Sequence, residues 1–294
     1  MLEKRLTTHK LIIGLVLTLL SLTMFVPIVN ILAKSLSDPA KVHLLQGYEI
    51  WPRGFSFVNY EVVLSNPIIG RALANSLFIT IAGTCFSIFF TTMAAYVLTR
   101  KNLVFKTPLM IFLIIIMIFE PGIVQEYLVV KDMHLLDNLW VMVLYRLINV
   151  YYLILMMRFI EEIPDALTEA AKIDGAGHMT LFVRIVLPLA RVPLLTIGMF
   201  YAVAKWNEFF KSSIFLSSQE NTVLQVLLRQ FVVEQDSLAL VGAVDVIKNS
   251  NIAQLDFGSL KAATIIIAIV PILMLYPIIL KYYTKGVMDG GVKE

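Results

Sequence analysis

Three stretches of this chain, Leu11 to Ala33, Ala72 to Thr99 and Ala262 to Leu280, run without a single charged side chain. Each is close to the roughly 20 residues of helix that a bilayer core requires, and a soluble fold has no use for three such runs. Composition agrees. Of the 294 residues, 59% are apolar and 15% charged, with a mean hydropathy of +0.82, where an ordinary soluble domain is about half apolar and about a quarter charged. That excess cannot be covered in one aqueous core, which disfavours a cytosolic enzyme, a secreted protein or a disordered linker. Lipid is the solvent for much of the chain.

Three further windows carry one or two ionisable residues: Thr107 to Val130 (Glu120, Glu126), Asn138 to Met157 (Arg146) and Ile185 to Ala204 (Arg191). The expectation is an all-α, polytopic membrane protein with six transmembrane helices, spans at about 11–33, 72–99, 107–130, 138–157, 185–204 and 262–280, in a single transmembrane domain over 1–294 with its core at about 70–285. Pro27, Pro121, Pro271 and Pro277 fall inside spans and predict kinks. The first run follows Lys4, Arg5 and Lys10, but it is longer than a secretory h-region and no small-residue cleavage site follows, so it reads as a retained helix. Lys and Arg are roughly twice as dense in the segments 1–10, 100–106, 158–191 and 281–294 as in 34–71, 131–137 and 205–261, which predicts both termini in the cytoplasm. The outer segments contain a turn-rich stretch at 35–70, with Trp51 and Tyr60 suited to the headgroup region, and an amphipathic run from Thr222 to Val233 too short to span.

The most patterned polar segment lies between the fourth and fifth spans, EEIPDALTEAAKIDGAGHMTLFVRIVLPLA at 161–190. Pro164 and the acidic Glu161, Glu162 and Asp165 suit a helix start, and Ala166 to Lys172 are good helix formers. Asp174, Gly175 and Gly177 then supply turn chemistry before a second helix resumes at Leu181, Phe182 and Val183. A helix-turn-helix on the inner membrane surface follows, with Leu167, Ala170, Ala171 and Asp174 able to share a face.

Within it, Glu169-Ala170-Ala171, then Gly175, Ile185 and Leu187-Pro188 stand at the spacing of the EAA loop of bacterial ABC importer permeases. The chain resembles the maltose-type, binding-protein-dependent carbohydrate permeases over nearly its full length. WPRGFSFVNY at 51–60, Asn75-Ser76, AAYVLTR at 94–100, WNEFF at 206–210 and YPIILKYYTKGVMDGGVKE at 276–294 are similar to that family, and to its oligosaccharide and polysaccharide-uptake branch in particular. One departure is Glu294, where the family often ends in glycine.

The resemblance implies a location in the bacterial plasma (inner) membrane and a set of partners: a second homologous permease, two ATP-binding cassette subunits and an extracytoplasmic solute-binding protein that delivers an oligosaccharide or polysaccharide. It also implies that Glu169, Ala170, Ala171, Asp174, Gly175, Leu187 and Pro188 couple the permease to the ATPases. The residue types make physical sense there: small Ala170 and Ala171 let another backbone approach, Glu169 can meet a basic rim, and Gly175 can take a positive φ. The chain has no G-x-x-x-x-G-K-[ST] loop and no strand–helix alternation to hold a phosphate, so ATP and Mg belong to partner subunits and this polypeptide is expected to be no enzyme, with no cofactor of its own. No His/Asp/Glu spacing suggests a metal site, lone Cys85 forms no cluster, and a net charge of +3 gives no reason to expect nucleic acid.

Ionisable residues within spans are functional candidates, because burying one alone is costly. At a rise of about 1.5 Å per residue, Glu126, Arg146 and Glu120 lie about 6, 12 and 15 Å below the outer end of their spans. They are therefore at similar depths, predicting a Glu–Arg pair that braces the bundle, lines the sugar path, or does both. Tyr127, Tyr145, Asn149, Tyr151, Tyr152, Tyr201, Trp206 and Asn207 are further candidates for sugar contact, each with the alternative of an ordinary interfacial anchor. Glu120, Glu126, Tyr127, Arg146, Asn149, Trp206 and Asn207 form the expected path. A secondary transporter driven by an ion gradient is the alternative class; it predicts inverted repeats and broken midplane helices with acidic ion sites, and the sequence shows no such halves.

Overall fold

The computed structural model describes residues 2–45, 47–234 and 256–290. Residues 235–255 of the last outer segment and the terminal Glu294 lie outside them. Among the described residues the secondary structure is helical with no strand, apart from one isolated bridge between Ser37 and Phe55. In hydrocarbon only an internally hydrogen-bonded backbone is tolerated, so long apolar runs become helices.

The chain opens with α1 (Leu2–Ser35), which contains the first predicted span and continues through Pro27. A 3-10 turn over Pro39–Leu44 and α2 (Val58–Ser65) lead into α3 (Pro67–Leu98), which holds the second span. Next come α4 (Lys106–Ile118), α5 (Ile123–Asp132), α6 (Leu139–Leu144), α7 (Val150–Glu161), α8 (Asp165–Ile173) and α9 (His178–Leu181). After them stand α10 (Leu187–Leu189), α11 (Arg191–Asn207), α12 (Phe210–Phe215), α13 (Leu224–Val232) and α14 (Phe257–Gly290), the last containing the sixth predicted span with Pro271 and Pro277 inside it. The helix α13 matches the amphipathic run expected in the outer segment.

Three of the six expected spans are broken in the structure, one of them at Pro121, where a kink was expected. Among the described residues, only α1, α3 and α14 are long and apolar enough to cross a membrane alone. The span at 107–130 bends by 115° between α4 and α5. Pro121 removes a donor there and pushes Glu120 out of helical geometry, and Gly122 follows. The span at 185–204 bends by 80° at Ala190, between the α9–α10 segment and α11. The span at 138–157 divides into α6 and α7, with residues 145–149 outside either helix: Arg146 sits at φ +49° and Asn149 starts α7 afresh, its side chain accepting from the N–H groups of Tyr151 and Tyr152.

The chain forms two compact units, Met1–Gly70 with Leu227–Val270 and Arg71–Val226 with Pro271–Glu294. In the first, Asn59 is fully buried and acts as a hub. Its amide donates to the carbonyls of Ser35 (3.0 Å) and Ser37 (2.9 Å), and its oxygen accepts from Ser259 Oγ (2.9 Å). Half-buried Tyr60 bonds Ser35 Oγ through its hydroxyl at 2.7 Å. Trp51 is 79% exposed, as a headgroup residue requires.

Among the described residues, the second unit contains two apolar cores. One joins the end of α3 to α7, α9, the following turn and α11 through Tyr96, Leu153, Met156, Ile160, Leu181, Phe182, Val186 and Ile197. The other gathers Ile79, Val141, Met142, Phe215, Leu216 and Val223. Connections sort accordingly: Lys101 meets Asp165 across 99–106 and 161–190, whereas Asp137 meets Ser217, Ser218 and Asn221, and Asn75 donates to the carbonyls of Glu220 and Thr222. Segments that the Lys/Arg pattern groups together are thus in contact with one another.

Candidate functional site

The segment 161–190 folds as the expected helix-turn-helix. Gly175 adopts φ +82° with nothing within 4 Å of where a Cβ would stand, so its glycine is required by backbone conformation and not by crowding. The helix α8 is amphipathic. Thr168 is buried and Ala171 packs against the apolar core, while Leu167, Glu169, Ala170, Ile173 and Asp174 face outward. The expected face is thus divided: Ala171 belongs to the inner edge, and Ile173, 87% exposed, joins the free one. Lys101 pairs with Asp165 at 2.6 Å, which holds the Asp165 carboxyl below its ordinary value and raises the lysine. A cavity of about 480 Å³ beside this brace is lined by Arg100, Lys101, Glu169, Lys172 and His178, among others.

Leu187-Pro188 has a structural consequence that sequence reasoning missed. Residues Phe182–Val186 form a π turn, in which the Leu187 N–H reaches back five residues to the carbonyl of Phe182. Pro188 has no N–H to continue an α ladder and crowds the carbonyl four residues earlier, and the wider turn relieves that conflict. Phe182 and Val186 of the π turn are buried in the core, so the helix-turn-helix and the helices α3, α7 and α11 share packed side chains.

The second constellation lies at the helix breaks. A cavity of about 210 Å³ is lined by Glu120, Pro121, Glu126, Arg146, Asn149 and Tyr151 with Ile116, Met117, Ile148 and Val150. Four of the seven residues expected on the path therefore meet in one place. The predicted pair forms: Arg146 Nη2 donates to Glu120 Oε1 at 2.8 Å. Glu126 instead pairs with Lys211 of α12, a partner the sequence did not suggest. The remaining three expected path residues stand elsewhere. Tyr127 is 36% exposed on α5, Trp206 is buried at 3%, and Asn207 is exposed with its amide donating to Val203 in its own helix.

The break between α6 and α7 is held by side chains from other helices. Lys205 Nζ donates to the carbonyls of Met142 (2.8 Å), Val143 (3.1 Å) and Tyr145 (2.6 Å), supplying a cation to the unsatisfied C-terminal end of α6. Its stem crosses α3 at Gly83, where a Cβ would lie 3.2 Å from Lys205 Cδ and Cε. The Tyr201 hydroxyl accepts from the Asn149 N–H at 2.9 Å and bonds Thr91 Oγ1 at 2.7 Å. A lysine closing an apolar run four residues after a tyrosine was the available signal, but its target is a helix 60 positions away.

Comparison with known proteins decides the family. Residues 76–289 match the model of the binding-protein-dependent transport system inner membrane component. This chain belongs to that family. Among the family's curated members, the chain is 34% identical to the polygalacturonan/rhamnogalacturonan transport system permease protein YtcP of Bacillus subtilis (strain 168), over 94% of this chain and 95% of that one. It is 29% identical to the melibiose/raffinose/stachyose import permease protein MelC of the same organism, over 83% of each. Among solved structures it is similar to a chain of a bacterial ABC transporter involved in the import of the acidic polysaccharide alginate, with a TM-score of 0.86, 26% identity, and coverage of 94% and 97%. As a member of the family this chain is an integral inner-membrane permease component, and it shares its fold with that solved transporter.

Proposed function

We propose that this chain is one permease of an ATP-driven ABC importer that translocates an oligosaccharide or polysaccharide, with both termini in the cytoplasm and the helix-turn-helix at 161–190 as its handle for the ATPase subunits. Family membership implies the assembly: a second permease, two ATP-binding cassette subunits and an extracytoplasmic binding protein. The observation that carries the coupling role is the construction of α8. One edge is packed into the bundle through Thr168 and Ala171, while Glu169, Ala170 and Ile173 are left outside, so a force on the free edge moves packed helices as a unit. The cavity at Glu120, Glu126, Arg146 and Asn149 is the proposed stretch of the sugar path, since irregular backbone at membrane depth is tolerated where it lines a cavity. Relatives include one that serves an acidic polysaccharide and one that serves melibiose, raffinose and stachyose, so kinship supports a sugar without giving its charge.

Reconstitution with the genomic partners tests the reading. Saccharide delivered by the binding protein is expected to stimulate ATP hydrolysis. Glu169→Lys and Gly175→Pro are expected to abolish that stimulation while the protein still reaches the membrane and assembles with the second permease. Stimulation unchanged in both variants overturns the coupling role.

A further inference from the structure

Positive charge gathers around the cavity of about 480 Å³ beside α8, whose volume falls within the roughly 300–1,000 Å³ of ordinary ligand pockets. Arg100, Lys101 and Lys106 reach it from the turn between α3 and α4, and Lys172 from α8. Three carboxylates also line it, Asp165, Glu161 and Glu169, and two of them are engaged. Asp165 is bonded to Lys101 at 2.6 Å and is acted on by Arg100 and Lys172 only from longer range, while Glu161 accepts from Arg158 of α7 at 3.2 Å. Among the described residues Arg100, Lys106 and Lys172 have no ion pair, so three cations are left with one uncommitted carboxylate, Glu169.

Arg100 is held in place by its own helix. Its Nε donates to the Tyr96 carbonyl at 3.1 Å, and its Cζ lies 4.2 Å from the centroid of the Tyr96 ring. Tyr96 is buried, packs on Phe182 and gives its hydroxyl to the His178 carbonyl at 3.3 Å. The guanidinium is thereby fixed, yet its Nη1 and Nη2 donate to no group among the described residues. That free edge can hold two oxygens of one oxyanion at once.

The same turn has an apolar tip. Val104 and Phe105, 71% and 73% exposed, stand between Lys101 and Lys106, and Phe105 takes φ +60°, which non-glycine residues adopt rarely and at a cost in energy. The turn joins α3 to α4, both drawn from runs with the hydropathy of spans, so its tip stands at a membrane boundary. There a valine and a phenyl ring enter lipid while flanking lysines meet headgroups.

A free anion needs only the cations; a lipid needs cations beside an apolar surface, and this turn has both. We propose that the cavity binds the phosphate of an anionic phospholipid, with Arg100 holding it through Nη1 and Nη2, Lys106 and Lys172 facing it as ammonium groups, and Val104 and Phe105 lying along its acyl chains. The surplus of cations favours a headgroup of net negative charge over a zwitterionic one, whose own cation would be a fourth. Bound there, the phosphate joins cations of the α3–α4 turn to one on α8, and the lipid becomes part of the packing that holds α8 to the bundle. The site stands whatever solute is transported.

The test places the full complex in phosphatidylcholine nanodiscs with a small mole fraction of phosphatidylglycerol or phosphatidylcholine carrying a diazirine in its acyl chain, and identifies the peptide labelled on irradiation. The phosphatidylglycerol probe is expected to label residues 103–106 several-fold more strongly than the phosphatidylcholine probe. Unlabelled phosphatidylglycerol is expected to displace it, and millimolar inorganic phosphate is not. Lys106→Gln and Lys172→Gln are each expected to weaken the apparent affinity about fivefold, the effect of one basic group near an anionic lipid surface. Neither lysine holds an ion pair among the described residues, so both variants are expected to assemble, which size exclusion checks. Arg100→Lys, which keeps the charge and loses the two-nitrogen edge, is expected to fall between wild type and Arg100→Gln. Arg191→Gln removes an exposed cation outside the cavity and is expected to change nothing. Equal labelling by the two probes, an unlabelled 103–106 peptide, or an equal loss in Arg191→Gln and Lys172→Gln overturns the site. Displacement by inorganic phosphate as readily as by phosphatidylglycerol assigns the cavity to a free anion and overturns the lipid. Each of these outcomes leaves the translocation reading as it stands.

Discussion

Asp137 shows how much a single carboxylate can organise outside the membrane. It stands at φ +55°, and its Oδ1 accepts from the Ser218 N–H (3.0 Å), the Ser218 hydroxyl (2.9 Å), the Ser217 N–H (3.1 Å) and the Asn221 amide (3.3 Å). These donors, the Ser218 backbone first, hold its pKa below the ordinary carboxylate value. A depressed native value means that its stabilisation is complete above the unfolded value of about 3.9 and is lost as pH falls through the native one. Asp137→Asn keeps a residue tolerant of positive φ and removes only the charge. It is expected to cost about 1 kcal/mol at pH 7, with the gap from wild type closing as pH drops below about 4. Thermal unfolding of the purified protein in detergent across that range measures it; a constant gap would mean the charge is not the source. Nothing in the sequence marks this residue, because its partners are 80 or more positions away.

At the scale of elements, sequence and structure part company where tertiary contacts override a local pattern. Hydropathy located α1, α3 and α14 because an apolar run long enough to cross is its own evidence, and the spacing of Glu169, Ala170, Ala171 and Gly175 located the helix-turn-helix because turn chemistry is local. The break between α6 and α7 is not local. Residues 138–157 read as an uninterrupted span until Lys205 is placed on the α6 carbonyls and Tyr201 on Asn149. Depth arithmetic found the Glu120–Arg146 pair because both residues lie inside apolar windows, and it missed Glu126–Lys211 because Lys211 lies beyond one. The break is expected to depend on the lysine by two routes. Lys205→Met removes the donor to three carbonyls and is expected to destabilise the chain by about 1–3 kcal/mol. Gly83→Leu leaves the lysine in place but fills the notch its stem crosses, and is expected to act in the same direction. Thermostability of both variants by size-exclusion after heating checks this; a loss in the first without any in the second would show that the stem does not need its path over α3.

For the whole molecule, the proposed coupling role requires the lever at 161–190 to lie on the cytoplasmic side, and the contacts of the second unit divide its connections into two sets. The residues 99–106 and 161–190 meet through Lys101 and Asp165, and 131–137 meets 217–221 through Asp137. In the orientation proposed above, the first set, with its denser Lys and Arg, lies in the cytoplasm. Ile173, 87% exposed on the lever, and Trp51, 79% exposed in the turn-rich stretch at 35–70, are reporters for the two sides. With Cys85 replaced by serine, Ile173→Cys is expected to react with a membrane-impermeant maleimide in inside-out vesicles and not in intact spheroplasts, and Trp51→Cys the reverse. If α8 docks into an ATPase, assembly with that subunit is further expected to protect Ile173→Cys in the inside-out vesicles, and stripping the subunit to restore the reaction. Labelling of Ile173→Cys from the outside would invert the topology and leave the lever out of reach of any cytoplasmic motor. Labelling from the inside that assembly does not change would keep the topology and place the docking surface elsewhere on the chain.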